Sequence, residues 1–232
     1  MSEEAARVLW EGETALAVSK PAGMLVHNSS FAGARERSLR QNLGRDLARR
    51  VYPVHRLDRG TSGIVIFARE KELVAPWQEA LARDDADKRY LAIVRGRLRE
   101  DHAVDSPVKD PNGIERDART DVRVLARSGR ERVSLVELRL HTGRHHQARR
   151  HAAHLRHPIV NDATHGDSRF NRAFRDATGF ERLALHCATI ALTNPDEGTL
   201  LRLHDPLPDA FAALVKELFP SLDDSLLGPS TP

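Results

Sequence analysis

Apolar residues at helical spacing predict three helices, over residues 37–51, 73–83 and 142–158. In the first of these stretches, leucines recur every four residues from Leu39 onward among charged side chains, which is typical of an amphipathic helix. Thr142 offers its hydroxyl group as an N-cap for the third helix. On that third helix, Arg149 and Arg156 are predicted to share one flank of the apolar stripe.

Alternating or continuous apolar runs predict the strands, over residues 8–10, 15–18, 64–68, 90–94 and 136–140. The run from Ile64 to Ala68 is apolar throughout, as in a strand that is buried on both faces. Between Val136 and Leu140, apolar and polar residues alternate, which is typical of a strand with one solvated face. Residues 109–120 are predicted to form a polar loop. Because strands and helices do not alternate regularly, the pattern predicts an α+β fold.

The composition is that of a globular protein, with 232 residues of which 40% are hydrophobic. No apolar run is long enough to suggest a membrane span, and the first residues lack the layout of a signal peptide. Cys187 is the single cysteine, which excludes an internal disulfide and favours a small buried side chain at that position. These features together predict a cytoplasmic location.

The length of the chain suits one catalytic domain over residues 1–220, followed by a flexible tail over residues 221–232. The sequence gives no sign of an obligate protein partner. It also lacks a glycine-rich nucleotide-binding pattern, so no cofactor of that kind is expected.

Positive charge is concentrated in residues 141–157, which contain four arginines and six histidines and no acidic residue. The chain as a whole carries a net charge of only +3. A one-sided basic surface is typical of proteins that bind nucleic-acid phosphates, and Arg150 and Arg156 are the candidate phosphate contacts. The alternative is a helix face that is merely solvated.

The most reactive candidate in the sequence is Asp58, within the stretch from His55 to Gly63 that precedes the strand at residues 64–68. Arg56 and Arg59 flank this carboxylate and favour its ionised form. An ionised carboxylate on a rigid turn is suited to act as a nucleophile or a general base. The alternative is an aspartate that only caps a turn.

Several blocks of the chain, in order, resemble the signature segments of the RluA-type pseudouridine synthases. They are the K-P-A-G segment at residues 20–23, the H-R-L-D-R-G-T-S-G segment at 55–63, the K-R-Y-L-A-I-V-R-G segment at 88–96, the T-G-R-H-H-Q-A-R segment at 142–149, and the shorter blocks at 157–160 and 183–186. Ordered matches over most of the chain are far more specific than one short motif. Asn161 departs from the pattern, because the family usually has glycine there.

This resemblance implies the pseudouridine synthase fold, with a mixed, largely antiparallel central sheet, flanking helices and a central active-site cleft. It also implies an isomerase that converts uridine to pseudouridine in structured RNA without a cofactor. Asp58 is then expected to act on the uridine, Arg149 to pair with Asp58, and Tyr90 to face the extracted base. The substrate-binding residues implied by the resemblance are His55, Arg56, Thr61, Arg144, Arg150, Arg156 and Leu185.

The segment from Arg149 to Ile159, with His165 and Gly166 after it, is similar to the branch of the family that modifies uridine at tRNA position 65. The expected partner is therefore RNA, with tRNA first and ribosomal RNA second. A non-catalytic RNA-binding module is the alternative from another class, because it would explain the basic segment although not the loop at Asp58.

Two further classes of enzyme are disfavoured by the spacing of their candidate residues. His151, His154 and His157 could suggest a zinc site, but the first and last of them lie on different faces of a helix, so no metal is expected. The stretch from His55 to Asp58 lacks the direct Arg-Asp neighbours and the glycine-rich loop of a protein kinase.

Overall fold

A computed structural model describes residues 6–27 and 38–228 of the chain. The strands are β1 Arg7–Glu11, β2 Ala15–Lys20, β3 Tyr52–Pro53, β4 Ser62–Ala68, β5 Asp87–Arg95, β6 His102–Asp105, β7 Val108–Lys109, β8 Glu115–Arg116, β9 Arg119–Arg127, β10 Val133–Leu140, β11 Leu185–Thr193 and β12 Leu200–His204. The helices are α1 Leu39–Asp46, α2 Val74–Ala82, α3 Gln147–His154, α4 Ser168–Thr178 and α5 Asp209–Leu218, with a 3-10 helix at Asp224–Leu227. These described residues divide into two compact units, one from residues 6–27, 38–86 and 189–205 and the other from residues 87–188 and 206–228.

The first unit is built on β2, which pairs antiparallel with β1 on one side and with β4 on the other. Every residue of β4 is buried, as its uninterrupted apolar sequence predicts. Helix α2 contributes Trp77, whose ring is fully buried and whose indole N–H donates to the Thr14 hydroxyl at 2.9 Å. The first two predicted strands are therefore confirmed and form an antiparallel hairpin, and β4 forms a rigid base for the loop that precedes it.

The second unit is built on β10, which pairs antiparallel with β5 and with β9, while β6 continues the sheet beyond β9. Its apolar core includes Val136 and Leu138 of β10, Ala148 and Ala152 of α3, and Phe211 of α5. The sheet pairings in both units are mainly antiparallel, and the helices do not alternate regularly with strands, which confirms the predicted α+β class.

The predicted third helix was too long, because α3 covers only Gln147–His154. Thr142 is not its N-cap, since the Thr142 hydroxyl donates to the Gln147 side chain at 2.7 Å and that side chain also accepts the N–H of Arg144 at 3.0 Å. These bonds hold residues 142–146 in a turn. The cap position is His146, with a left-handed φ of 55°. Arg156, with φ 63°, lies beyond the helix and so does not share its flank with Arg149.

The other local predictions have mixed outcomes. The first helix is shorter than predicted, because α1 ends at Asp46 and Ala48 then turns with a positive φ of 51°. Residues 109–120 are not a plain loop, since β7 and β8 form a small antiparallel hairpin there. Residue 37 and residues 229–232 of the predicted tail lie outside the described residues.

Asn161 adopts a left-handed backbone, with φ 61°, which explains why glycine is usual at this position. Asparagine tolerates this conformation better than most residues, and here its side-chain amide donates to the carbonyl oxygens of Phe180 at 2.6 Å and Arg182 at 3.1 Å. Cys187 in β11 is fully buried, as predicted. In the part of the chain that the structure describes, no helix is long and apolar enough to cross a membrane.

Candidate active site

Asp58 lies on the loop between β3 and β4, and its carbonyl oxygen accepts the N–H of Thr61 at 3.1 Å. Leu57 on one side and Thr61 on the other are buried, whereas Asp58 itself is partly exposed. The loop thus anchors the neighbours of the aspartate in the interior, while Asp58 itself lies at the edge of the buried region. This placement matches what the signature at residues 55–63 predicts.

His55 supports the same loop from inside the first unit. Its Nε2 accepts the backbone N–H of Ile66 at 3.1 Å, so the proton of the neutral imidazole resides on Nδ1. The N–H of Val54 donates to the carbonyl oxygen of Ile66 at 2.9 Å, which fixes the chain just before the loop. His55 therefore shapes the loop through its ring.

Lys20 is the strongest support of this loop, and its role was missed from the sequence. Its side chain is fully buried, and its ammonium donates to the carbonyl oxygens of Pro21 and Met24, each at 2.8 Å, and of Arg59 at 3.2 Å. We call this arrangement the lysine clamp. It joins the segment after β2 to the residue next to Asp58.

A second set of bonds reinforces the lysine clamp. The N–H of Gly23 donates to the carbonyl oxygen of Arg59 at 2.8 Å, and the Arg59 guanidinium donates back to the carbonyl oxygen of Gly23 at 2.9 Å. Gly23 has a left-handed φ of 86°, which glycine adopts without steric cost. The two short motifs at residues 20–23 and 55–63 thus form one structural element.

Arg149, on α3 in the second unit, is held by Asp162. Its guanidinium donates through Nε to Asp162 Oδ2 at 2.8 Å and through Nη2 to Asp162 Oδ1 at 2.7 Å. Both side chains are buried, and a planar two-bond contact of this kind fixes the direction of the guanidinium. Sequence reasoning missed Asp162. The signal was an aspartate directly before Ala163-Thr164, a pattern typical of an aspartate that caps a turn.

Asp162 is itself fixed by the backbone around it. Its Oδ1 accepts the N–H groups of Thr164 at 2.9 Å and His165 at 3.0 Å. Burial on its own would raise the pKa of Asp162, but the hydrogen bonds from Arg149 and from these backbone groups outweigh it and lower the pKa below its ordinary value. The pair is therefore fully ionised at neutral pH.

Tyr90 lies on β5, opposite Leu138 of β10, and packs partly buried against the core of the second unit. Leu185 is buried at the start of β11, and its carbonyl oxygen accepts a bond from the Arg182 guanidinium at 3.1 Å. Their backbones belong to regular strands, so both side chains sit on a rigid support. Asp58 belongs to the first unit and Tyr90 and Arg149 to the second, and the meeting of these three side chains stays a prediction.

The remaining predicted substrate contacts are cations at the surface. Arg56 is exposed, and Arg144 donates through Nε to the carbonyl oxygen of Asp117 at 3.0 Å. Arg150 donates to the carbonyl oxygen of Lys109, which ties α3 to the β7–β8 hairpin. The structure leaves each of these roles in binding as a prediction.

His151 has a structural role that competes with the zinc alternative. Its Nδ1 contacts the Thr120 hydroxyl and its Nε2 the carbonyl oxygen of Ser106, both at 2.9 Å. Burial lowers the pKa of His151, so the ring is neutral and joins α3 to β9 and to the segment after β6. Within residues 6–27 and 38–228, no group of three His, Cys, Asp or Glu side chains is arranged to hold a metal ion.

The loop at Asp58 and the α+β fold match one family of enzymes. The sequence pattern described as RNA pseudouridylate synthase matches residues 14–154, which is more than half of the chain. The chain belongs to this family, and the predicted RNA-modifying isomerase is confirmed.

Individual relatives agree with this assignment. The chain is 35% identical over 230 residues to the tRNA pseudouridine synthase C of Vibrio cholerae, covering 90% of this chain and 94% of that protein. It is 38% identical over 208 residues to the protein of the same name from Pasteurella multocida, covering 81% of this chain and 86% of the relative.

The fold has solved counterparts. The structure of human RNA pseudouridylate synthase domain containing 1 superimposes with a TM-score of 0.72 at 23% identity, covering 100% of this chain and 91% of that one. The human domain containing 4 protein gives a TM-score of 0.71 at 24% identity, covering 91% and 92% of the two chains. These likenesses confirm the predicted pseudouridine synthase fold.

Proposed function

We propose that this protein isomerises a uridine of tRNA to pseudouridine, with Asp58 as the residue that acts on the nucleotide. The observation that carries the proposal is the loop of Asp58, in which buried neighbours and the lysine clamp fix the backbone of a partly exposed aspartate. A positioned carboxylate is suited to act on the sugar of the target nucleotide. The relatives named tRNA pseudouridine synthase C support tRNA as the substrate.

The reaction breaks the bond between the sugar carbon and N1 of uracil, turns the base, and joins C5 of the base to the same sugar carbon. Asp58 either adds to the sugar carbon or removes a proton from the sugar, and C5 loses its hydrogen at the end. No electrons are gained or lost overall. The residues of this chain therefore need only bind the nucleotide, hold the detached base and transfer protons.

In this proposal, each partner of Asp58 has a distinct task. Arg149 pairs with Asp58 and keeps it ionised, while Asp162 fixes the direction of the guanidinium. Tyr90 faces the extracted base with its ring and handles a proton at C5 with its hydroxyl. Leu185 forms an apolar wall. Arg56 fills the space left by the extracted base or binds a phosphate, and the basic segment at residues 141–157 contacts the RNA backbone.

The candidate RNA targets keep the ranking that the sequence analysis gave them. We propose position 65 of tRNA as the target, because the segment from Arg149 to Ile159 is similar to the branch that modifies it. Ribosomal RNA is the second candidate. Since tRNA is modified where it is made and used, the proposal also places the enzyme in the cytoplasm.

Pseudouridine mapping in total RNA from cells that lack the gene distinguishes tRNA from ribosomal RNA as the substrate. Loss of a ribosomal site with unchanged tRNA would contradict the choice of tRNA.

The test of catalysis is the variant Asp58→Asn, which keeps the size of the side chain and removes its charge. We expect release of tritium from C5-labelled uridine in tRNA to fall at least about 1000-fold, because an amide neither attacks the sugar nor accepts its proton. Asp46→Asn, on the exposed end of α1, is the matched control and should retain full activity. Substantial turnover by Asp58→Asn would contradict the proposal.

A further inference from the structure

Three arginines from two separate connections between strands line one hollow on the second unit. The hollow has a volume of about 530 Å3 and is lined by Gly96, Arg97, Gly129, Arg130 and Arg132. Arg97 follows β5, whereas the other two arginines lie between β9 and β10. None of them belongs to the basic segment at residues 141–157, so the sequence gives no sign that they meet.

The backbone of this hollow is held firmly from within. The N–H of Gly96 donates to the carbonyl oxygen of Arg132 at 2.6 Å, and the Ser134 hydroxyl donates to the carbonyl oxygen of Gly96 at 3.0 Å. The buried Ser128 hydroxyl accepts the N–H groups of Arg130 at 3.2 Å and Glu131 at 3.3 Å. The connection after β5 and the connection between β9 and β10 are therefore held together by their own hydrogen bonds.

Two backbone features determine the shape of the hollow. Arg132 adopts a left-handed φ of 51°, which is costly for a residue with a side chain and persists only where neighbouring bonds enforce it. Gly129 leaves its side of the hollow open, because a Cβ added there would meet nothing within 4 Å. The result is a concave surface lined by three arginines and two glycines.

The charges of the hollow are only partly balanced. Arg97 donates to the carbonyl oxygen of Gly129 at 2.7 Å, a neutral acceptor. Arg130 has Glu131 at 3.7 Å, but its own side chain is 87% exposed, so that pair is weak. Among the residues described by the structure, no carboxylate lies within ion-pairing distance of Arg97 or Arg132. Three like charges held together in this way favour a multivalent anion.

The hollow adjoins the end of the basic segment. A Cβ on Gly96 would approach Nδ1 of His157 to 2.8 Å, and that nitrogen contacts the carbonyl oxygen of Arg95 at 2.7 Å. Arg95 itself is paired with Asp167, so its charge is already balanced. The arginines of the hollow thus lie next to His157, at the end of the basic segment.

We propose that Arg97, Arg130 and Arg132 form a second RNA-binding site, which takes consecutive phosphates of the RNA backbone. The choice of RNA as the anion rests on the proposed function. Planar guanidinium groups match phosphate oxygens with two parallel hydrogen bonds, and phosphate contacts position an RNA without reading its sequence. The site extends the contact surface beyond the basic segment and fixes the orientation of the bound RNA.

The test is the triple variant Arg97→Gln, Arg130→Gln and Arg132→Gln, with the affinity for a tRNA transcript measured from about 50 to about 200 mM salt. We expect binding at low salt to weaken at least about 10-fold. We also expect the slope of log affinity against log salt to fall by about 2, since each lost phosphate contact removes roughly 0.7–0.9 of a counterion.

The matched control removes the same net charge elsewhere, through Arg83→Gln, Arg202→Gln and Lys216→Gln, all exposed positions. Equal slopes for the two triple variants would overturn the proposal, because net charge alone would then explain the loss. A triple lysine variant at Arg97, Arg130 and Arg132 should keep most of the slope, which guards against misfolding as the cause.

Catalysis is measured separately, so that the two proposals fail independently. At saturating tRNA, the triple glutamine variant should release tritium at the rate of the unaltered protein, with a raised KM, because the hollow contacts no reacting atom. If the unaltered protein forms no pseudouridine in tRNA but the slope still changes, the binding site holds and the proposed function fails. An unchanged slope together with normal catalysis overturns only the second site.

Discussion

The loop of Asp58 and the helix of Arg149 position their charged side chains in opposite ways. The loop is fixed through its main chain, because the lysine clamp and the Gly23–Arg59 bonds contact carbonyl and N–H groups. Arg149 is fixed directly at its charge, by the carboxylate of Asp162. Asp58 is thus positioned through its backbone, whereas Arg149 is positioned through its side chain.

This difference predicts different sensitivity to substitution. A backbone support is a cage of several bonds, so its loss disturbs the whole loop and the stability of the first unit. A side-chain support depends on a single residue, so its loss changes direction and charge at one point. Substitutions at three positions in the two units test this comparison.

The largest effect is expected from Lys20→Met, which keeps the apolar stem of the side chain and removes the ammonium. Three carbonyl oxygens then lose a charged donor, and each such bond is worth roughly 1.5–3 kcal/mol. We expect the free energy of unfolding, measured in urea, to fall by about 4 kcal/mol. Lys71→Met, at an exposed position, is the control. A loss as small as that of the control would show that the loop does not depend on the clamp.

A smaller loss of about 3 kcal/mol is expected for Asp162→Asn, because it leaves the buried Arg149 guanidinium without its counter-charge. The unaltered protein gains stability from Asp162 above the unfolded pKa of about 3.9 and loses it as the pH falls through the lowered folded pKa. The variant should lack this part of the pH dependence in urea titrations. Asp176→Asn, which is exposed, should keep it, and identical acid profiles for both variants would refute the assignment.

The smallest effect is expected at Asn161, where backbone strain and side-chain bonds act in opposite directions. Asn161→Gly removes the strain but also the two bonds to the carbonyl oxygens of Phe180 and Arg182, for a net loss of about 1 kcal/mol. Asn161→Ala removes the same bonds and keeps the strain, so it should be less stable than the glycine variant by about another 1 kcal/mol. Thermal unfolding of both variants separates the effect of the backbone strain from that of the lost hydrogen bonds. Equal stabilities would show that the backbone there is unstrained.

Much of the fold could be predicted from the sequence, since the buried strand at residues 64–68 and the first hairpin have unambiguous patterns. The third helix was predicted too long because Gln147 binds Thr142 and Arg144 and converts a helical sequence into a turn. Periodicity reports which residues face the core, and it carries no information on such local bonds.

The candidate site was predictable to the extent that its residues lie within short motifs. Asp58 could be proposed as a site residue because its whole loop is one continuous signature, and the structure places this loop directly before β4. Asp162 was missed because its partner Arg149 lies 13 residues away, and a single aspartate in a loop has many ordinary uses. The role of Lys20 was missed because it acts on carbonyl oxygens, which every residue possesses.

Because Cys187 is completely buried, the reactivity of its thiol reports on opening of the structure around it. A thiol enclosed at 0% exposure meets a reagent only when β11 opens locally or the protein unfolds. Since the chain has one cysteine, every thiol modification takes place on this strand. The rate of labelling in the native protein therefore reports how readily β11 opens or the chain unfolds, and it needs no engineered probe.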